Sequence, residues 1–148
     1  MLTVIIDART DAERLPVLLA QLTAGAVDGL VRQVLIVAAA GQPGIDDLCE
    51  ETGAETHTTI EAAAGAARAD WLVVLPADFR LRDGWIKSLE GHLARGGQAA
   101  MVVGLAKGGL FSRRPAGVLL ERSRLDGHRG ADLQRLRRDL GLRAGRVG

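Results

Sequence analysis

The sequence predicts one α/β domain of three layers, with helices on both faces of a mostly parallel sheet. Three observations lead there. Short apolar runs rich in β-branched residues alternate with helical patterns, the mark of repeated βαβ units. The turns between them are short and carry Gly, Asp or Thr. A length of 148 residues with 47% apolar side chains suits a single packed domain.

Each element follows from its local pattern. LTVII (2–6) is short, continuous and β-branched, which reads as a buried strand. In TDAERLPVLLAQLTAG (10–25), Thr10 and Glu13 have capping-box spacing and Leu15, Leu18, Leu19 and Leu22 form one apolar face. Gly25 reads as the stop of that helix, and Pro16 predicts an irregular first turn. VRQVLIVAAAG (31–41) is a second strand that runs into small residues and a turn. GIDDLCEETG (44–53) is a short helix closed by Gly53, and AETHTT (54–59) a short third strand. IEAAAGAARAD (60–70) reads as an Ala-rich helix, and WLVVLP (71–76) as the fourth strand. RDGWIKSLEGHLARGG (82–97) carries Trp85, Ile86, Leu89 and Leu93 on one helical face. AAMVVGLA (99–106) is a fifth strand. Beyond it the pattern weakens. Residues 116–122 suit a strand or a helix, and 131–141 a helix with Leu133, Leu136 and Leu140 inward and Arg135, Arg137 and Arg138 outward.

The bulk numbers narrow the function classes. The apolar runs are far shorter than the roughly 20 residues of a membrane span. The N-terminus lacks the basic region and cleavage site of a signal peptide and reads as a strand. The lone Cys49 has no internal disulfide partner, and a reducing cytoplasm fits it. Charge is uneven: 8 basic against 14 acidic side chains up to residue 106, and 11 against 4 in 107–148. The first part is net acidic. The second is a shorter basic half that suits an anionic partner or the periphery of a membrane at its inner face. It equally suits a solvated helix face. No nucleic acid is expected, because recognition motifs and stacking aromatics are lacking.

Ligands of parallel sheets bind at the carboxyl ends of the strands. The informative residues are thus Asp7 to Asp11, Ala38 to Gly44 and Pro76 to Arg80. In that order, LTVIIDARTDAERLPVLLAQL (2–22), VLIVAAAGQPGIDDL (34–48) and ARADWLVVLPADFRLRDGWIKSL (67–89) resemble the family-2 glycosyltransferases. The resemblance implies a glycosyltransferase A fold, a Rossmann-like nucleotide-sugar-binding domain, over about the first 95 residues. It implies a nucleotide-sugar-binding half at 1–106, a shortened basic acceptor-side half at 107–148, and transfer of a sugar from a nucleotide-sugar donor, with Mn or Mg on a nucleotide diphosphate or with no cofactor. Asp7, Arg9, Asp11, Ala38, Gly41, Ala77 and Asp78 fall at its ligand-holding positions.

The departures from the family pattern sit on chemistry. The family closes its fourth strand with Asp-X-Asp, whose carboxylates hold a metal on the diphosphate. Here the motif is Pro76-Ala77-Asp78, which leaves Asp78 as the one implied metal ligand. The family's acidic pair after the second strand is Ala38-Ala39, and its Asn-Glu pair after the first is Thr10-Asp11. Where an acidic pair would supply a catalytic base, the chain reads HRGAD, with Asp132 the only acid nearby.

Each candidate also has a plain structural reading. Asp78 suits a turn, Asp7 and Asp11 suit a helix start, and Asp132 suits an N-cap. Gly41 and Gly44 suit turns, although a glycine turn at a strand end also lets a phosphate reach the backbone. Trp71 and Trp85 suit core packing. His57, His92 and His128 lie at no mutual ligand spacing. Two functional readings stand: a transferase with a reduced metal site, or a non-catalytic descendant that binds a ligand or a protein.

Overall fold

The computed structural model describes residues 1–105, 116–125, 132–140 and 145–148, the side chain of Leu140 excepted. Seven strands form one sheet: β1 (Leu2–Asp7), β2 (Val31–Val37), β3 (Glu55–His57), β4 (Trp71–Pro76), β5 (Ala100–Val103), β6 (Ala116–Glu121) and β7 (Gly145–Val147). Their order is β3-β2-β1-β4-β6-β5-β7. β1 to β4 run parallel, β6 runs antiparallel to both β4 and β5, and β7 is parallel to β5.

The α-helices are α1 (Leu15–Val27), α2 (Ile45–Thr52), α3 (Ile60–Ala66), α4 (Trp85–Ala94) and α5 (Leu133–Leu140). The alternation along β1 sorts them onto two faces. Val4 and Ile6 point into a core with Leu15, Leu18 and Leu22 of α1, Ile45 of α2, and Trp85 and Leu89 of α4. Ile5 points the other way, to Ile60 and Ala63 of α3 and to Leu133 and Leu136 of α5. The predicted three layers are present. Thr3, fully buried, keeps its hydroxyl satisfied by donating to Gln33 Oε1 at 3.2 Å and accepting from Ala69 N–H at 3.3 Å.

Several expectations change. The Thr10–Glu13 capping box does not form. A 3-10 turn at Ala12–Arg14 precedes α1, and Pro16 sits in the first turn, where its missing N–H costs nothing. Gly25 does not end α1. It lies in the last turns of the helix, where a Cβ would stand 2.4 Å from the Trp85 ring and 2.8 Å from Val31. It is there for close packing. Residues 116–121 settle as a strand, and β7 is a further one beside β5. α5 begins on Asp132, whose Oδ1 accepts from Arg135 N–H at 2.7 Å, as its N-cap reading anticipated. Arg135 and Arg138 are exposed, but Arg137 turns inward. His128 and the inward placement of Leu140 lie outside the described residues. Among those residues no helix is long and apolar enough to cross a membrane.

Candidate functional site

Sheet register assembles the candidate residues. Asp7, the last residue of β1, is level with Val37 of β2 and Pro76 of β4. The chains stay paired just past the strands. Ala8 N–H donates to Val37 O at 2.8 Å, Ala38 N–H to His57 O at 2.9 Å, and Ala77 N–H to Asp7 O at 3.2 Å. Asp7, Ala38, Ala77 and Asp78 therefore share one edge, the carboxyl end of the parallel strands. Ala38 and Ala77 are buried and bring only methyl groups to it.

Asp7 is chelated. Arg9 donates from Nε to Oδ1 at 2.9 Å and from Nη2 to Oδ2 at 2.8 Å, and its backbone N–H reaches Oδ1 at 3.2 Å. The two-residue spacing lets the planar guanidinium fold back onto both oxygens. The hydrogen bond to Asp7 raises the Arg9 pKa, burial opposes it, and the charges of Asp7, Asp132 and Glu61 add to the rise. Glu61 in α3 and Asp132 at the start of α5 thus act on the same guanidinium.

Asp11 is exposed and does not cap the helix. Its backbone is left-handed, with φ 57°, and it is the one non-glycine residue with positive φ among those described. Asp tolerates that conformation better than bulkier residues do. After β2, Gly41 takes φ 71° in a turn that Gln42 closes. Gln42 Nε2 donates to Ala8 O at 2.8 Å, and its Oε1 accepts from Ala39 N–H at 2.9 Å. This amide brings a polar side chain next to the Ala38-Ala39 pair. The sequence reading passed over it because it lies outside the motif positions.

Asp78 is partly buried in the turn after β4, where Phe79 N–H donates to Pro76 O at 3.1 Å. Phe79 is fully buried and anchors that turn. Opposite stands Arg137, the clearest correction to the outward arginines. Its Nη2 donates to Ala116 O, the first carbonyl of β6. Burial pulls its pKa down, and the charge of Asp78 pushes it back up. Its Nε is buried without a hydrogen-bond partner.

Asp78 is thus the one implied metal ligand at this edge, since both oxygens of Asp7 already hold Arg9. No group of three His, Cys, Asp or Glu suited to a metal ion exists among the described residues. The residues present fit arginine, not a divalent-cation centre. Two grooves lie elsewhere. One of about 540 Å³ opens between α1 and α2, lined by Leu19, Leu22, Val34 and Leu48, and one of about 380 Å³ lies at Asp70, Trp71 and Arg122. Cys49 is partly buried, and burial pushes its thiol pKa up, as a packing role requires.

Solved structures share this fold. A 4-diphosphocytidyl-2C-methyl-D-erythritol synthase from Anaerococcus prevotii superposes with a TM-score of 0.60 at 11% identity, over 99% of this chain and 86% of its own. Glucosyl-3-phosphoglycerate synthase from Mycobacterium tuberculosis, in complex with Mn2+, UDP and glucosyl-3-phosphoglycerate, gives 0.60 at 13% identity over 83% of this chain. The chain has the nucleotide-diphospho-sugar transferase fold. Mannosyl-3-phosphoglycerate synthase from Rubrobacter xylanophilus shares that fold with a TM-score of 0.56 at 16% identity over 70% of this chain. The chain spans only 57% of the glucosyl enzyme and 39% of the mannosyl enzyme. At these identities the likeness is one of fold alone. No protein-family model and no curated protein matches the sequence.

Proposed function

We propose that the chain is a glycosyltransferase-like protein, of the family-2 kind, that binds a nucleotide sugar at the carboxyl end of β1, β2 and β4. The observation that supports this is register: Asp7, Ala38, Ala77 and Asp78 meet at the edge where ligands of such sheets bind. The neighbouring glucosyl enzyme is in complex with UDP, which makes a uridine or related diphosphate the first ligand to try. In this reading Gln42 and the backbone of the Gly41 turn face the base, and Arg9 and Asp78 flank the phosphates. Transfer of the sugar would also need a base for the acceptor hydroxyl. Asp132, the acid nearest in the sequence to that role, uses Oδ1 to cap α5.

The Asp7–Arg9 chelate favours a second reading, a non-catalytic module that binds the ligand without cleaving it. Calorimetric titration with UDP, GDP, CDP and their sugars, with manganese present, tests both. Micromolar binding, about −8 kcal/mol, supports the nucleotide-sugar site. Release of free sugar or its transfer to an added acceptor then selects the first reading, and an intact donor the second. Failure of every nucleotide to bind a folded sample refutes the site.

A further inference from the structure

Arg137 is a charge in an unusual place. Its guanidinium comes from α5, the second half of the chain, and lies at the strand end that carries Asp78. β4 and β6 pair as far as Val74 opposite Val118, and Ala116, which opens β6, lies two residues before Val118. The Arg137 bond to Ala116 O therefore holds the guanidinium beside the Pro76–Asp78 turn. Its Nε lies buried without a partner. Beyond the N–H that Ala116 takes, the guanidinium keeps further Nη donors. Arg9, on the neighbouring strand end, keeps donors beyond the two that chelate Asp7.

We propose that Arg137, fixed on the Ala116 carbonyl beside Asp78, and Arg9, fixed on Asp7, supply the positive charge that holds the diphosphate of the ligand, so that binding needs no divalent metal. The inference rests on the nucleotide-sugar reading above and specifies how that site meets phosphate. A guanidinium donates readily to phosphate oxygens, and the Nη groups that Asp7 and Ala116 leave over are the donors concerned. The nearby carboxylates Asp7, Asp78, Asp132 and Glu61 oppose the anion. Asp78 is then a brake on binding, the reverse of its role as a metal ligand.

That reversal makes a sharp test. The full chain is titrated with UDP, GDP and CDP in EDTA and again in manganese, as wild type, Asp78→Asn, Arg137→Lys and Arg9→Gln. The proposal expects equal binding in EDTA and manganese. It expects Asp78→Asn to bind as tightly or more tightly, and Arg137→Lys and Arg9→Gln each to lose about tenfold, or 1.4 kcal/mol. Thermal melts establish that each variant is folded. If Arg137→Lys melts early, Asp78→Asn and Arg9→Gln still decide. Binding seen only in manganese, or abolished by Asp78→Asn, overturns the proposal and leaves the nucleotide-sugar site standing. No nucleotide binding in either buffer refutes that site and this proposal with it.

Discussion

β1 and β4 lie side by side and end together, yet Asp7 and Asp78 at those ends meet arginines of different origin. Asp7 is clamped from two residues away, by a guanidinium on its own turn. Asp78 acts through its charge on a guanidinium that comes from α5. The first arrangement is local and survives wherever the turn survives. The second exists only if β6 and α5 pack correctly on β4. One strand end is therefore a property of a short peptide stretch, and the other a property of the whole domain. A ligand that engages both would sense the assembled fold.

The strongest way to break the β4 side is to remove its anchor. Phe79 is fully buried directly after Asp78. Phe79→Ala should cost about 3–5 kcal/mol, read as a fall in the urea midpoint at constant slope. The Asp7–Arg9 turn should keep its geometry in the folded fraction. A loss below about 1 kcal/mol would mean that the Phe79 ring can be replaced by local collapse, at the low edge of what core truncations show.

Gly117 tests the route by which Arg137 arrives. A Cβ there would stand 2.3 Å from Leu75 Cδ2 and 2.9 Å from Val74 O. The leucine can rotate away, but the carbonyl cannot. Gly117→Ala should force β6 off β4 and cost about 1–3 kcal/mol. It should also weaken nucleotide binding, because the Ala116 carbonyl that seats Arg137 moves with it. Stability and binding falling together would support the long-range seat. Unchanged binding in the folded variant would count against it.

How much of this could be read in advance follows the same local and long-range division. β1, β2 and β4 were legible because continuous β-branched runs on parallel strands leave little ambiguity. Asp7 and Asp78 were legible as strand-end acids. β7 was not, since three residues with one apolar side chain make no period. Gly25 and Gly117 carry no local sign of what they touch; a stop, a turn and a close approach use the same residue. Arg137 is more instructive. It sits four residues after Leu133 and three before Leu140, so the helical period itself puts it on the inward side. Its charge suggested solvent, and its position suggested the sheet. The position prevailed because the backbone carbonyl of Ala116 accepts one of its N–H groups and its stem packs as an apolar chain does.

Arg137→Met separates binding from stability. Burial already disfavours the guanidinium, and the shorter thioether fills the path of the arginine stem. The variant sheds a buried charge but leaves the Ala116 carbonyl without its donor, so the melt should fall by only about 1–2 kcal/mol. Nucleotide affinity should nonetheless fall by about tenfold. A loss near 3 kcal/mol on melting would instead make Arg137 a structural latch.

The smallest expected effect sharpens the comparison from the β1 side. The Asp7–Arg9 pair is chelated, but the arginine side chain is 37% exposed and the aspartate 19%. Pairs open to water are worth about 0.2–1 kcal/mol, less once ordering and screening are counted. A double-mutant cycle of Asp7→Asn and Arg9→Gln should give a coupling near the lower half of that range. At ~1 M salt, where screening acts within about 3 Å, little of it should remain. A coupling that stays large in salt would mean that the pair is shielded from water. The β1 end would then resemble the β4 end, with its own charge held by the folded surroundings and not by the turn alone.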